Sequence, residues 1–154
     1  MRVGIKKVQE NEWLVHIGPA SIKLDHFSVA LLNITLQNML ALEDGAEHSS
    51  SNSYIELGLR IKELKALDVQ KLLHELDNAD LVVMMQVAED NDLNSLIINN
   101  SGAILAKQLE MDLQAKRQLD EEQAKDAIRR IVMKMFELEG KGQIEFINEN
   151  TQYI

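Results

Sequence analysis

The spacing Asp90-x-Asp92-x-Asn94 matches the start of a calcium-binding loop, because oxygen ligands at alternate positions suit a hard cation. Such a loop needs a Gly at its sixth position for a sharp turn and a bidentate Glu at its twelfth. This chain has Ser95 and Ser101 at those two positions. The pattern therefore favours the solvated start of a helix over a metal site.

The other titratable residues do not form the arrangement of an active site. The four histidines are His16, His26, His48 and His74. They are separated by at least 10 residues, and none has a second His or a Cys at metal-ligand spacing. Glu121, Glu122 and Asp126 fall where carboxylates complement a helix dipole. With no glycine-rich phosphate loop and no nucleophile elbow, we predict no catalysis, no cofactor and no bound metal.

Composition limits the class of protein and its partners. The 154 residues suit one domain, and a 45% apolar content is enough for a core. Aromatic residues are only 4%, so aliphatic side chains must fill that core, which favours helices. A net charge of −9 disfavours nucleic acid as a partner. The absence of cysteine and of a long apolar run predicts a soluble, cytoplasmic protein without membrane insertion.

Residues 1–43 predict a small ββ(β)α unit. Three stretches have the character of strands, and they are Val3–Lys7, Trp13–Ile17 and Ser21–Leu24. Asp25 or Ser28 is the expected cap of a helix that continues to about Leu42. The fold class expected for the whole chain is α+β, mainly α, with this β-hairpin or meander and helix before an all-helical part.

The predicted helix 26–42 is apolar on two sides. One side carries Phe27, Ala30, Leu31 and Ile34. The other carries Val29, Leu32, Leu36, Met39 and Leu40. One side can pack on the hairpin, so the other requires a further neighbour. That neighbour is either the C-terminal helices or a second copy of the chain, which would make a homo-oligomer through helix 26–42.

Residues 44–53 are small, polar and non-periodic, which predicts a Ser-rich linker before a helical domain at 54–154. Expected helix starts are Asp68, Asn78, Asp92, Ser101-Gly102 and Asp120. The run Leu81–Ala88 is so uniformly apolar that its periodicity cannot separate a helix from a strand, and only Asn78 as a cap favours a helix. The last helix has the clearest period and a capping-box Gln123. Alternation over Gln143–Ile147 predicts a final strand.

Several segments of the helical part follow one another in a recognisable order. They are Leu67–Asp77, Asp80–Val83, Ala88-Glu89, Asn100, Leu109–Leu113 and Gly142–Ile144. Across about residues 55–147, their order and spacing resemble the C-terminal domain of the flagellar motor switch protein FliG. This resemblance implies an all-helical, armadillo-like module in the cytoplasmic ring of the flagellar rotor. It also implies a ridge of charged side chains that faces the membrane-embedded stator, and no catalysis.

The chain departs from the family at the ridge. Gln86 stands where the resemblance implies a Lys, and Ile104 where it implies an Arg. The resemblance implies a pair of acidic residues where this chain has Met111-Asp112, so only one carboxylate remains. It also implies a basic residue after the helix, at about the position of Asp120. Leu57–Arg60 replaces the hinge motif expected upstream. A contact between charged surfaces derives its specificity from those charges. The contact between ridge and stator that the resemblance implies is therefore expected to be weakened or lost.

The candidate partner-binding residues are Asp112, Lys107, Glu110, Lys116 and Arg117. Basic positions continue at Lys125, Arg129 and Arg130, and they form either a solvated face or a receptor for an acidic partner. The sequence predicts a divergent rotor or switch component, held at the inner membrane face through a motor-like assembly. The alternative is a stand-alone cytoplasmic adaptor that kept the fold and lost the motor role.

Overall fold

The computed structural model describes residues 1–45, 49–115 and 118–147, and the chain divides into two compact units, Met1–Ser53 and Tyr54–Ile154. The first unit contains β1 (Val3–Gln9), β2 (Glu12–Ile17), β3 (Ala20–Leu24) and α1 (His26–Leu40). The later elements are α2 (Ser50–Gly58), a 3₁₀ helix (Leu59–Glu63), α3 (Ala66–Glu75), α4 (Asn78–Ala88), α5 (Asn91–Asn99), α6 (Ala103–Gln114) and α7 (Glu121–Gly140). The expected α+β, mainly helical fold is confirmed. Ser50–Ser53 form the start of α2 although they belong to the predicted linker, and the domain boundaries stay predictions.

The first unit is an antiparallel meander with strand order β1-β2-β3, followed by α1. Asn11 and Gly18 have positive φ angles of 58° and 58°, which the two tight turns between the strands require. The Asp25 side chain accepts a hydrogen bond of 2.8 Å from the Ser28 amide and caps α1. The predicted hairpin, third strand and Asp25 cap are therefore confirmed.

The interior of the first unit is small. Val15 on β2 and Phe27 on α1 are its only buried hydrophobic residues in the described part of the chain, at 7% and 4% exposure. The Trp13 ring lies 5.4 Å from the His26 ring, so the start of α1 lies over the end of the sheet that carries Trp13. Most other large apolar side chains of this unit are exposed.

The second unit packs around α4 and α7. α4 lies against both α6 and α7, and α5 lies against the 3₁₀ helix, α3 and α6. The buried side chains of α7 repeat every three or four residues and are Ala124, Ala127, Ile128, Ile131, Val132, Met135, Phe136 and Leu138. On α4, Leu81, Met84 and Met85 are at most 1% exposed. This confirms the predicted last helix and settles Leu81–Ala88 as a buried helix.

Two predicted helix caps, Asp68 and Asn78, were wrong. α3 begins earlier than expected, with Lys65 in the cap position, and Asp68 lies inside its first turn at 2% exposure. α4 is capped by Asp77, whose side chain accepts a 2.9 Å hydrogen bond from the Ala79 amide, rather than by Asn78. Asp120 does occupy the cap position of α7, but its side chain makes no capping hydrogen bond.

The predicted strand Gln143–Ile147 was also wrong. Ile144 and Phe146 are buried, at 4% and 7% exposure, but the segment has no strand ladder. It is held instead by the Glu145 amide, which donates to Asp68 Oδ2 at 3.1 Å, and by the Ile147 amide, which donates to the Glu63 carbonyl at 2.7 Å. Its alternating pattern reflects alternating burial without partner strands.

An ion-pair cluster at the end of α7 gives a testable pH dependence. Lys134 Nζ and Lys141 Nζ lie 2.8 and 2.9 Å from the carboxylate oxygens of Glu137. The hydrogen bond from Lys134, followed by that from Lys141, lowers the Glu137 pKa from 4.5 to about 2. Because this pKa is lowered in the folded state, the stabilisation is present above pH 4.5 and is lost as the pH falls toward 2.

We therefore expect Glu137→Gln to be less stable than the wild type at neutral pH, with a difference that disappears between pH 4.5 and 2. Urea unfolding at a series of pH values measures this. Glu110→Gln, a second change at an exposed carboxylate, is the control. A Glu137→Gln difference that is constant over this range would contradict the ion-pair explanation.

Candidate functional site

α6 has a buried edge and an outer face. Leu109 is 0% exposed, and α6 packs against α4 and α5. The outer residues are three or four positions apart and therefore share one face. They are Ile104, Lys107, Gln108 and Met111. Ile104 is 89% exposed and Met111 is 59% exposed, so α6 presents two large apolar side chains to solvent, two turns apart.

The structure places three of the five predicted partner-binding residues on α6. Lys107 and Glu110 are exposed, and Asp112 is half-buried. Asp112 Oδ1 accepts a 3.0 Å hydrogen bond from Gln108 Nε2 one turn earlier. Lys116 and Arg117 lie outside the described residues. Lys107 and Glu110 therefore flank the apolar pair, whereas Asp112 is held by its own helix.

Gln86 on α4 secures the end of α6. Its Nε2 donates to the backbone carbonyls of Asp112 and Ala115, each at 3.3 Å. The last carbonyls of a helix lack the usual partner one turn further on. The Asp112 carbonyl already accepts from the Ala115 amide at 3.3 Å, so Gln86 gives it a second donor and also supplies a donor to the carbonyl of Ala115, the cap residue. The Gln86 Oε1 atom is buried and has no hydrogen-bond partner within the described ranges. Gln86 thus serves the packing of α6 and is not displayed on the outer face.

Two of the basic residues that could receive an acidic partner, Arg130 and Lys125, form ion pairs with carboxylates of the second unit. Arg130 forms a bidentate pair with Asp80, in which Nε and Nη2 lie 2.9 Å from the two carboxylate oxygens. That hydrogen bonding raises the Arg130 pKa. Lys125 lies 3.5 Å from both Glu121 and Glu122. This favours the solvated, ion-paired interpretation of these basic positions.

Sequence reasoning did not find the residues that hold the C-terminal segment. The Arg60 guanidinium carbon lies 4.1 Å from the Phe146 ring centroid and 5.8 Å from that of Phe136. The two rings are 6.4 Å apart and edge to face. Arg60 lies in the stretch Leu57–Arg60 that replaces the expected hinge motif, and only this departure marked it in the sequence.

A groove of about 350 Å³ lies between α3 and the start of α6. Its polar side chains are largely bonded to neighbours. Gln70 Nε2 donates to Asn100 Oδ1 at 3.5 Å, and Asn100 Nδ2 donates to the Leu96 carbonyl at 2.8 Å. Ser101 donates to the Ile97 carbonyl at 2.7 Å. The groove therefore offers few free polar groups to orient a ligand.

In residues 1–45, 49–115 and 118–147, no three His, Cys, Asp or Glu side chains converge as metal ligands would. Asp90, the first residue of the calcium-like pattern, bonds the Leu93 amide at 2.8 Å and Lys62 at 2.9 Å. No helix there is both long and apolar enough to span a bilayer.

Short helices that stack around α4 and α7 make the second unit an all-helical, armadillo-like domain. The model of the family FliG C-terminal domain matches residues 59–146, and the chain belongs to that family. This confirms the resemblance drawn from the sequence over about residues 55–147. The family consists of structural switch-protein domains and is not a known family of enzymes. No curated protein matches the chain.

Proposed function

We propose that the chain is a non-catalytic protein-interaction module of the flagellar motor switch type, which binds its partner through the outer face of α6. The observation that carries this proposal is the exposure of Ile104 and Met111, at 89% and 59%, on a helix whose opposite edge is buried. Isolated surface apolar residues are common, but two on one face of one helix form a recognisable contact patch.

The chemistry of this face defines a partner helix. Ile104 and Met111 are seven positions apart, which is the spacing of one position in a heptad, so a helix with apolar residues every three or four positions is complementary. Lys107 and Glu110 flank this pair and favour opposite charges at the rim. A contact of this kind depends more on buried apolar area, and less on salt, than a charged ridge does.

In the first version of the proposal, the partner is a rotor or stator component of the flagellar motor. The chain is then cytoplasmic and peripheral at the inner membrane face, held there by a motor-like assembly. Deleting the gene is expected to abolish swimming, and Asp112→Lys is expected to alter it. A deletion strain that swims and switches normally would rule out the motor version.

In the second version, the chain is a stand-alone cytoplasmic adaptor. Its support is that the family's ridge positions at Gln86 and Ile104 carry no charge, and that Gln86 is used inside the domain to hold α6. A gene outside a flagellar cluster, beside a second full-length switch protein, would favour this version over the first.

The apolar face of α6 gives a direct binding prediction. Met111→Glu is expected to weaken partner binding by about tenfold or more, because it places a charge on a desolvated contact. The matched control is Leu67→Glu on α3, because Leu67 is 56% exposed and Met111 is 59% exposed. Binding to purified rotor and stator components of the source organism, measured by biolayer interferometry, tests the motor version.

A photoreactive residue at position 104 tests the adaptor version in cells. It is expected to crosslink one specific partner, whereas the same residue at position 67 is expected not to crosslink it. Equal labelling from both positions, or Met111→Glu binding that equals the control, would count against the α6 face in either version.

We further propose that the chain associates with itself through helix 26–42. Four apolar side chains of α1 remain exposed on one stripe, and they are Leu32, Leu36, Met39 and Leu40. Their spacing of three or four positions is that of a helix–helix seam.

A further inference from the structure

The first unit buries too little apolar surface for its size. Four large side chains on the same sheet face as Val15 stay exposed, and they are Val3 at 70%, Ile5 at 56%, Ile17 at 45% and Ile22 at 54%. Small units with little core are commonly stabilised by disulfides, metals or oligomerisation, and this chain has no cysteine. The sheet therefore requires a further surface.

The two edges of the sheet differ in how open they are to pairing. β1 carries Lys6 and Lys7, and its register with β2 shifts between Lys7 and Gln9. Lysines and bulges are the features that keep an edge strand from pairing. β3 pairs with β2 in regular register, and its single Lys23 is bound by Glu12 at 3.3 Å. β3 is therefore the open edge.

The sequence of β3 is complementary to itself. Ile22 is the middle residue of Ala20–Leu24, so an antiparallel pair of β3 strands centred there places Ile22 opposite its own copy. Ser21 then faces Lys23, and no two like charges are opposed. Ile5, Val15 and Ile22 already form one row across the sheet, and this row continues into the second copy.

We propose that the chain forms a two-fold symmetric homodimer in which the β3 strands pair antiparallel about Ile22 and make one six-stranded sheet from two three-stranded sheets. α1 packs on β2 and β3, so both copies of α1 lie on the same side of the combined sheet, near the two-fold axis. The exposed α1 stripes of the two copies therefore lie on one side of the combined sheet, where we expect them to pack together. This inference refines the self-association proposed for helix 26–42 and does not depend on the α6 partner.

The proposal is tested with the full chain by sedimentation velocity over a series of concentrations. The wild type is expected to dimerise, and Ile22→Lys is expected to weaken dimerisation by at least about tenfold, because two lysines then face each other at the axis. Ile5→Lys is the matched control, since Ile5 is 56% exposed and lies in the same row at the other edge. It is expected to dimerise like the wild type.

A mixture of two variants gives the sharpest test of symmetry. Ile22→Lys and Ile22→Glu are each expected to be monomeric alone and to form a heterodimer when mixed, because opposite charges then meet at the axis. Circular dichroism checks that each variant is folded, and an unfolded pair is replaced by Ile22→Arg and Ile22→Asp.

Three results would overturn the proposal. The first is a dimer that survives Ile22→Lys, and the second is an Ile5→Lys change that is equally disruptive. The third is a wild-type monomer. In a monomer, the informative amides are those of β3 that point away from β2. Their protection from hydrogen exchange would assign the edge to another segment of the same chain, and their lack of protection would leave it to a different protein.

Discussion

Asp68→Ala is expected to lower the free energy of unfolding of the helical unit by about 2–3 kcal/mol, which is the range for removing one partner of a part-buried, charge-assisted hydrogen bond. The Asp68 carboxylate is 2% exposed and accepts from the Glu145 amide at 3.1 Å. It also lies 3.7 Å from Lys71, whose Nζ donates to the Gln143 carbonyl at 3.2 Å. Without this carboxylate, the C-terminal segment loses the hydrogen bond from Glu145 to α3 and keeps the one from Lys71 to Gln143.

The measurement is urea unfolding followed by hydrogen exchange. The Glu145 amide is expected to exchange faster in the variant, which a general loss of α3 helicity would not single out. Asp92→Ala is the matched control, because Asp92 is also an acidic first-turn residue but is exposed. It should cost only about 0.3–1 kcal/mol, the size of a helix-dipole contribution. Equal losses from the two variants would show that Asp68 acts only through the dipole.

The same residue shows what the sequence could not reveal. Asp68 stands just before apolar residues at helical spacing, and Asp is a common capping residue, so the sequence predicted a helix cap. Its partner, Glu145, is 77 residues away, and a local pattern carries no information about such a contact. Asp25 was predicted correctly because its partner, the Ser28 amide, is only three residues away.

The helices follow the same rule. The last helix was predictable because its buried residues repeat from Ala124 to Leu138, about four turns, against α3 and α4. Such repetition is a property of the segment itself. The strand prediction for Gln143–Ile147 was wrong because alternation shows which side chains are buried and not whether the backbone pairs with another strand. Its backbone partners, Asp68 and Glu63, lie far earlier in the chain.

The candidate site was predictable in part for a related reason. The resemblance drew attention to Ile104 and Met111, but exposure separates Ile104 from Leu109 on α6, and exposure depends on α4 and α5. The role of Gln86 was hidden as well, because it bonds carbonyls 26 and 29 residues away. The resemblance implied a charged residue at this position, whereas in the structure Gln86 holds the end of a helix.

Gly58 at the end of α2 lies close to Met84 on α4, and a substitution of Gly58 is expected to have a large effect on stability. Gly58 has φ −63° and ψ −35°, a helical conformation that any residue can adopt, so its backbone does not require glycine. A Cβ atom at Gly58 would lie 2.4 Å from Met84 Cε and 2.5 Å from Met84 Sδ. Met84 is 0% exposed, so its side chain can move only by disturbing the packed core. Any side chain at position 58 therefore requires the end of Met84 to shift within the core.

Gly58→Ala is expected to cost about 1–3 kcal/mol, although alanine is normally the better helix former by about 1 kcal/mol. Met84→Ala alone is expected to cost about 2–5 kcal/mol because it leaves a cavity. In the double variant the new methyl group occupies part of that cavity, so the total loss should be smaller than the sum by about 1–2 kcal/mol. Chemical unfolding of the four proteins in this cycle measures the coupling. Gly4→Ala is the control, because the added Cβ meets nothing within 4 Å, and it should be neutral or stabilising. Simple additivity of the Gly58 and Met84 changes would contradict the steric explanation.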